Sequence, residues 1–551
     1  MRHSLMWSLM AGAAVVVLQA LPHFAAAQGA AALTGVVTSA QEGNMEGVVV
    51  SARKKGSIVT VSVTTDAQGR YIFPENRLEP GEYTITIRAV GYDIAAPASA
   101  QVAAEKTTTA DIKLKPTHDL ASQLTNAEWM MSVPGPEDLK AELLNCTSCH
   151  TLERIVRSTH DADEWTHVIT RMRGYGAVSQ PIKPQRMLDE ARAGTPEQYR
   201  KFAEYLASIN LSRVDKWQYP LKTLPRPKGA ATRAVVTEYT LPRPTIEPHD
   251  VVVAKDGSVW YTDFGEMFIS RFDPKALKLT EYPVKKFKQN APEGQLSLAL
   301  DKEGKFWFDT MYQGALGSLD PNSGETKFYP LPAKWNDDRV QLNFVGLRHD
   351  VDGKVWTKSV GTQDIFRLDL KTGEWDKFHP TASLPAGRYS IYQVISDSRN
   401  NLWMAEFVDG HIGKLDAKTG AVTWYPLPTA HGRARRMEID DQDRILVTEY
   451  RGNAVALFDT RAEKFIAEYK LPTPYSGPYR AQADKNGDIW VAGMQTDRAI
   501  RLDPKSGRAI EYLMPGDTNM RSLFIDNTTS PPTFWTGSNH DHALVKVEPL
   551  E

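Results

Sequence analysis

Cysteine is almost absent from this chain: two occur in 551 residues. No disulfide framework can therefore hold the fold, and stability must come from packed cores. Neither charge is in excess, with 65 Lys and Arg against 67 Asp and Glu. That balance, without a long basic stretch, argues against a nucleic-acid partner. No Gly-x-Gly-x-x-Gly opens a helix after a strand-like run, which removes the usual fingerprint for a nicotinamide or flavin. After Leu21 no run is long and apolar enough to span a bilayer. What is present is ordinary for globular protein, 41% apolar and 24% charged, with 37 Gly, 34 Pro, 13 Trp and 20 Tyr that favour short strands and turns.

The first residues, MRHSLMWSLMAGAAVVVLQALPHFAAAQ, combine a weakly basic start, an apolar run and the small residues Ala25-Ala26-Ala27. Gly12, Gln19 and Pro22 interrupt the run, which favours a cleaved signal peptide over residues 1–27 rather than an anchor. The expectation is an exported, periplasmic protein with no membrane span after cleavage.

Export decides how the two cysteines are read. Both lie in Cys146-Thr147-Ser148-Cys149-His150. A zinc site would need a second ligand pair, and a thioredoxin-like site would need a βαβ setting; the sequence offers neither. Cys-x-x-Cys-His is the spacing of c-type haem attachment: two sulfurs hold the porphyrin edge and the adjoining imidazole faces the iron. The flanks fit a small helical domain over 120–211. Pro136 stands near the start of one helix, Trp165, Val168, Ile169 and Met172 share a face of a second, and Thr195-Pro196 opens a third. The region resembles a small cytochrome c domain. Covalent haem c is then the expected cofactor, held by Cys146, Cys149 and His150, with Met172 as second axial ligand. Met187, His160 and His167 are the rivals for that position.

Residues 30–116 alternate apolar and polar between Gly, Asn and Pro turns, as in TVSVTTDAQGRYIFP and GEYTITIRAVGY. The stretch resembles the carboxypeptidase regulatory-like (transthyretin-like) β-sandwich. A structural spacer is the favoured role, with binding of a carbohydrate-type ligand as the alternative.

Residues 212–234, basic and Pro-rich, read as a linker. Beyond them a unit recurs: DGSVWYTDF, EGKFWFDTM, DGKVWTKSV, RNNLWMAEF, QDRILVTEY, NGDIWVAGM and PPTFWTGSN. Its anchors Trp260, Trp307, Trp356, Trp403, Leu446, Trp490 and Trp535 are separated by 47, 49, 47, 43, 44 and 45 residues. Such a period is the mark of a β-propeller. Seven blades over 235–551 are expected, with Glu238–Pro242 supplying the strand that the last unit lacks; six blades with one degenerate repeat is the alternative. The fold class is thus multidomain and mainly β: a seven-bladed β-propeller, a small α-helical cytochrome c domain and an N-terminal β-sandwich.

The repeat resembles the virginiamycin B lyase (streptogramin lyase) family, most closely at LWMAEFVDGHIGKLD. That resemblance implies Mg²⁺-dependent elimination by a Glu-x-His pair, a following carboxylate and a second histidine. Glu247 and His249 match the pair, Asp263 stands where the family has Glu, and the second histidine has no counterpart, Met520 or a neighbour falling in its place. The same blade positions bring Tyr392, Arg435 and Tyr479 to the level of His249, Arg436, Arg480 and Arg521 one residue on, and Glu406 and Glu449 to the level of Asp263. The candidate catalytic set is His249, Glu247, Asp263, Glu406, Glu449, Arg435 and Tyr479. Electron transfer through haem, coupled to a small-molecule ligand at the propeller and to a periplasmic electron-transfer protein, is the first functional reading. A lyase with accessory haem is the second, and a non-catalytic binding and relay protein the third.

Overall fold

The computed structural model describes residues 31–211 and 219–550. The expected signal peptide and residues 212–218 of the expected linker lie outside the described residues.

The N-terminal sandwich forms where alternation predicts it. Strand Ala31–Ser39 turns Leu33 and Val37 inward. It pairs antiparallel with Arg70–Pro74 and parallel with Ile112–Pro116. The facing sheet runs Ala98–Val102, Gly81–Arg88, Val49–Lys54, Val59–Thr64. Tyr71 and Phe73 are fully buried between the two. The second sheet does not stop at its edge: Val59–Thr64 pairs antiparallel with Ala234–Thr240, which pairs in turn with Ala543–Pro549, Val236 opposite Val547. Two edges that would otherwise template aggregation are thereby covered. Arg77 adds a two-pronged pair to Glu548 at 2.9 and 3.0 Å.

Six four-stranded antiparallel sheets follow in succession, over 248–283, 298–330, 342–378, 391–426, 434–470 and 478–513. A further group of strands, Phe524–Asp526, Thr533–Ser538 and Ala543–Pro549, takes Ala234–Thr240 as its outer member. We number these units one to seven. The first strand of unit 1 packs against unit 2 on one side and against Thr533–Ser538 of unit 7 on the other, so the row closes into a propeller-like ring.

In units 2, 4 and 6 the repeated Asp and Trp are one physical device, whereas the Trp260 indole donates to Ser258 Oγ and that of Trp356 to Asn400 O. Asp301, Asp397 and Asp484 each accept two turn N–H groups through Oδ1. Through Oδ2 each accepts the indole N–H of the tryptophan six residues on, at 2.8, 3.1 and 3.0 Å. The pairing fixes the hairpin and satisfies a polar atom that burial would otherwise strand. The indoles then pack on the next unit: Trp260 on Phe306, Trp403 on Phe458, Trp490 on Phe534. In unit 5, where Leu446 replaces tryptophan, Asp440 instead binds the Arg444 side chain.

Between sandwich and ring lie helices α1 (Asn126–Ser132), α2 (Glu137–Leu143), α3 (Glu153–Val156), α4 (Ala162–Arg173) and α5 (Arg200–Ser208). Capping boxes start α1 at Thr125 and α4 at Asp161. Thr195 heads a short 3₁₀ turn that leads into α5. Trp129, Trp165, Ile169 and Leu206 share a core with Tyr450, Tyr479 and Met494 of the ring. The helices are therefore packed onto the ring face. The loop over 174–194 adds to this: Gln180 donates to Thr245 O at 2.8 Å and Lys183 to Gly265 O at 2.7 Å. The described part of the expected linker is docked too, with Leu224 N–H donating to Glu128 at 2.7 Å and Arg226 to Glu46 O at 2.9 Å.

Candidate functional site

The pentapeptide sits in the turn that prolongs α2, where Cys146 N–H donates to Leu143 O at 2.9 Å. Both cysteines are free thiols. Burial pushes the Cys146 thiol up to about 12 and raises that of Cys149. The His150 Nδ1–H donates to Thr151 O at 2.9 Å, which leaves Nε2 as the nitrogen able to ligate a metal. Burial lowers the imidazole's affinity for a proton, which keeps that nitrogen available.

The ring holds this turn directly. Gln495 Nε2 donates to Thr147 Oγ1 and Asn519 Nδ2 to Thr147 O, both at 2.9 Å. Arg521 donates to Ser148 O. From α1, Ala127 N–H returns a bond to Gln495 O at 2.8 Å, and Asn126 Oδ1 accepts Leu152 N–H at 2.8 Å. Gln495 and Asn519 were not marked by any sequence motif; their place on successive units is their one signal.

Cys146, Cys149 and His150 line a cavity of about 920 Å³ between the helices and the ring. Met172, Met187, His160, Trp165 and Leu206 line it from the helical side. Met172 is 42% exposed, whereas Met187 is 7% exposed and packed among Phe264, Met311 and Tyr312. The size is in the range of small-molecule and cofactor sites. Two thiols one turn apart and an imidazole with one nitrogen tied back, in a cavity of this size, are groups that fit a covalently held haem.

Of the expected propeller set, Arg435 and Tyr479 reach the cavity wall, together with Tyr392 and Arg521. Arg435 lies under four rings, with its guanidinium carbon 4.1 Å from the centre of Tyr479, 4.2 from Tyr450, 4.8 from Tyr392 and 5.2 from Phe407. Tyr392 and Tyr479 share a hydroxyl–hydroxyl hydrogen bond, and the Tyr479 hydroxyl stands 3.4 Å from His249 Nε2. His249 Nδ1 pairs with Asp250 at 2.9 Å, and Asp250 takes both arms of Arg436 at 2.6 and 2.7 Å. Burial opposes the charge on Asp250, but the Arg436 pair outweighs it and holds the carboxyl well below its usual range. Burial likewise lowers His249 to about 4, so this imidazole is neutral near pH 7.

The remaining carboxylates, Glu247, Asp263, Glu406 and Glu449, do not line the cavity. Asp263 Oδ1 accepts the N–H groups of Glu247, Gly265 and Glu266. Glu406 accepts those of Ser390, Val408, Asp409 and Gly410. Glu406 is thus spent on holding loops through both oxygens, whereas Asp263 keeps Oδ2 buried without a partner. Burial raises Glu247 to about 8, Asp263 to about 7 and Glu449 to about 7. Of the arginines one residue on, Arg480 pairs with Glu438 at 2.8 Å, away from the histidine.

The cavity wall is lopsided in charge. Arg154, Arg171 and Arg173 face it from the helices, Arg192 and Arg388 from loops, and Arg435, Arg521 and Lys358 from the ring. No aspartate or glutamate lines it among the described residues.

Comparison with known proteins bears on two stretches. Residues 381–549 match the virginiamycin B lyase family, and residues 32–115 match the carboxypeptidase regulatory-like domain. No curated protein matches the chain. Among solved structures, virginiamycin B lyase from Staphylococcus aureus is 22% identical, with 57% of this chain and 99% of that one covered at a TM-score of 0.49. A streptogramin B lyase structure is 22% identical over 58% of this chain and 100% of that one, again at 0.49. The extracellular domain of a hybrid two-component system from B. thetaiotaomicron is 16% identical over 56% and 40%, at 0.42. The chain therefore carries a carboxypeptidase regulatory-like domain at its N-terminus and a virginiamycin B lyase-like domain at its C-terminus.

Proposed function

We propose that this chain is an exported c-type haem protein of the periplasm, in which a seven-bladed β-propeller closes over a cytochrome-like helical segment. The observation that carries the reading is a shared wall: Cys146, Cys149 and His150 line the same cavity as Arg435 and Tyr479 of the ring. Haem held there supplies reversible one-electron storage. The chain's own residues do the rest. His150, its Nδ1 tied to Thr151 O, would hold the group through Nε2, and Met172 would be the sulfur ligand. A small-molecule ligand entering the cavity would meet the Tyr392–Tyr479 hydroxyl pair, behind which neutral His249 can accept a proton and Asp250 can stabilise the resulting charge. A periplasmic electron-transfer protein is the proposed partner.

The family match favours one second reading, a Mg²⁺-dependent lyase centred on Glu247 and His249 with an accessory haem. Both ring nitrogens of His249 have partners here, so this reading requires Tyr479 to move aside. The test compares wild type with Cys146→Ala/Cys149→Ala protein, both from a host that matures c-type haem. Substrate-dependent bleaching or reduction of the haem band, lost in the double variant, supports electron transfer. Turnover of a streptogramin that persists in the double variant supports the lyase.

A further inference from the structure

Lys358 is the penultimate residue of the second strand of unit 3, Lys354–Ser359. Its residue is 1% exposed, and its Nζ has no hydrogen-bond partner. It also lies outside every ion pair among the described residues. Two aromatic rings flank it, with Nζ 5.6 Å from the Phe344 ring centre and 5.8 Å from that of Tyr392. An ammonium left this way costs several kcal/mol in desolvation unless a counter-charge joins it.

Its surroundings do not supply that counter-charge. Arg192 is close enough to oppose protonation of Lys358. Its own hydrogen bond goes to the neutral Gln341 side chain at 3.3 Å. Arg388 lines the cavity too and shares a smaller adjoining pocket with Arg192 and Asp189, and among the described residues neither arginine forms an ion pair with that carboxylate. Asp309 is the acid that acts on Lys358, but its oxygens are taken by Ser297 and by the N–H groups of Leu296, Ser297 and Phe344. Burial leaves the lysine well below its ordinary pKa in the absence of an anion.

The position matters as much as the charge. Units 6 and 7 carry Gln495, Asn519 and Arg521, which clamp the Cys146–His150 turn. Unit 3 is on the other side of the closed ring. A group bound at Lys358 would face a ligand anchored at the cysteines from across the cavity.

We propose that the unit-3 end of this cavity, where buried Lys358 stands beside Arg192 and Arg388, is a subsite for a carboxylate. The carboxylate has two chemical sources, a propionate of haem anchored at Cys146 and Cys149, or a free carboxylate ligand. The subsite rests on the wall itself and not on haem attachment.

The test uses the full chain from a haem-maturing host as wild type, Lys358→Met and Lys358→Arg. Two measurements are made: melting in rising succinate against chloride at matched ionic strength, and redox-difference infrared spectra with isotope-labelled haem propionates. A free ligand gives a saturable rise in melting temperature for wild type and Lys358→Arg, with apparent affinity about 10–100-fold weaker in Lys358→Met. A propionate gives no succinate response but a labelled carboxylate band that moves in Lys358→Met and not in Lys358→Arg. If succinate does nothing and the labelled band is the same in all three proteins, the subsite is refuted. Colourless protein that still answers to succinate keeps the subsite and removes only the haem reading; colourless protein that does not answer removes both.

Discussion

Asn519 donates through Nδ2 to the carbonyl of Thr147 at 2.9 Å, across 372 residues of sequence. The turn that carries both cysteines is thus built partly by the ring. Replacing Asn519 or Gln495 by Ala strips a buried partner from Thr147, at a cost of about 1–3 kcal/mol each. Hydrogen exchange should quicken at 144–150 before it quickens in the ring strands. Equal loosening in both places would contradict a ring-held turn.

Asp250 and Arg436 form a buried pair in which both guanidinium arms are used. Removing one partner should cost about 3–5 kcal/mol, and removing both should cost less than Arg436→Met alone. Because the folded carboxyl of Asp250 is held low, its contribution is complete above the unfolded value of about 3.9 and is lost as pH falls below it. Denaturant unfolding of wild type, Arg436→Met, Asp250→Asn and the double variant, taken from neutral pH down through about 3.9, where the loss begins, checks both statements.

Glu247 titrates the other way. Burial lifts it to about 8, so the folded state holds a proton that the unfolded state releases near 4.3, about the ordinary value. Its contribution is therefore full below about pH 4 and is lost as pH rises through 8. Glu247→Gln should flatten the fall in melting temperature between pH 5 and 8, the interval about these two values. An unchanged slope would show that the carboxyl is not buried in its acid form.

The two methionines of the cavity separate by their packing. Met187 is 7% exposed in the core with Phe264 and Tyr312, so Met187→Ala should cost about 2–5 kcal/mol. Met172 is 42% exposed, so Met172→Ala should cost little stability but lower the haem midpoint potential and remove the sulfur-to-iron charge-transfer band. The reverse pattern would make Met187 the ligand.

Much of the fold was legible because it repeats. Seven anchors at near-even spacing mark the recurring strands of the propeller-like ring, and in units 2, 4 and 6 an Asp-to-indole bond ties the Asp to the Trp. The Cys-x-x-Cys-His spacing marked the turn. What escaped was every relation with no sequence period: the sheet running from Val59–Thr64 into Ala234–Thr240, the loop 174–194 laid on the ring, and the Gln495 and Asn519 bonds. Lys358 looked like one more strand residue in KVWTKSV; only its burial without a partner sets it apart. Glu406 holds backbone N–H groups through both oxygens and Asp263 through Oδ1 alone, a difference that residue type cannot reveal.

The most direct measurement is the visible spectrum of the denatured, acid-acetone-extracted protein purified from an export-competent host that matures c-type haem. The account predicts a pyridine haemochrome spectrum of the c type that stays with the polypeptide and vanishes in Cys146→Ala/Cys149→Ala. Folded but colourless wild-type protein would contradict it.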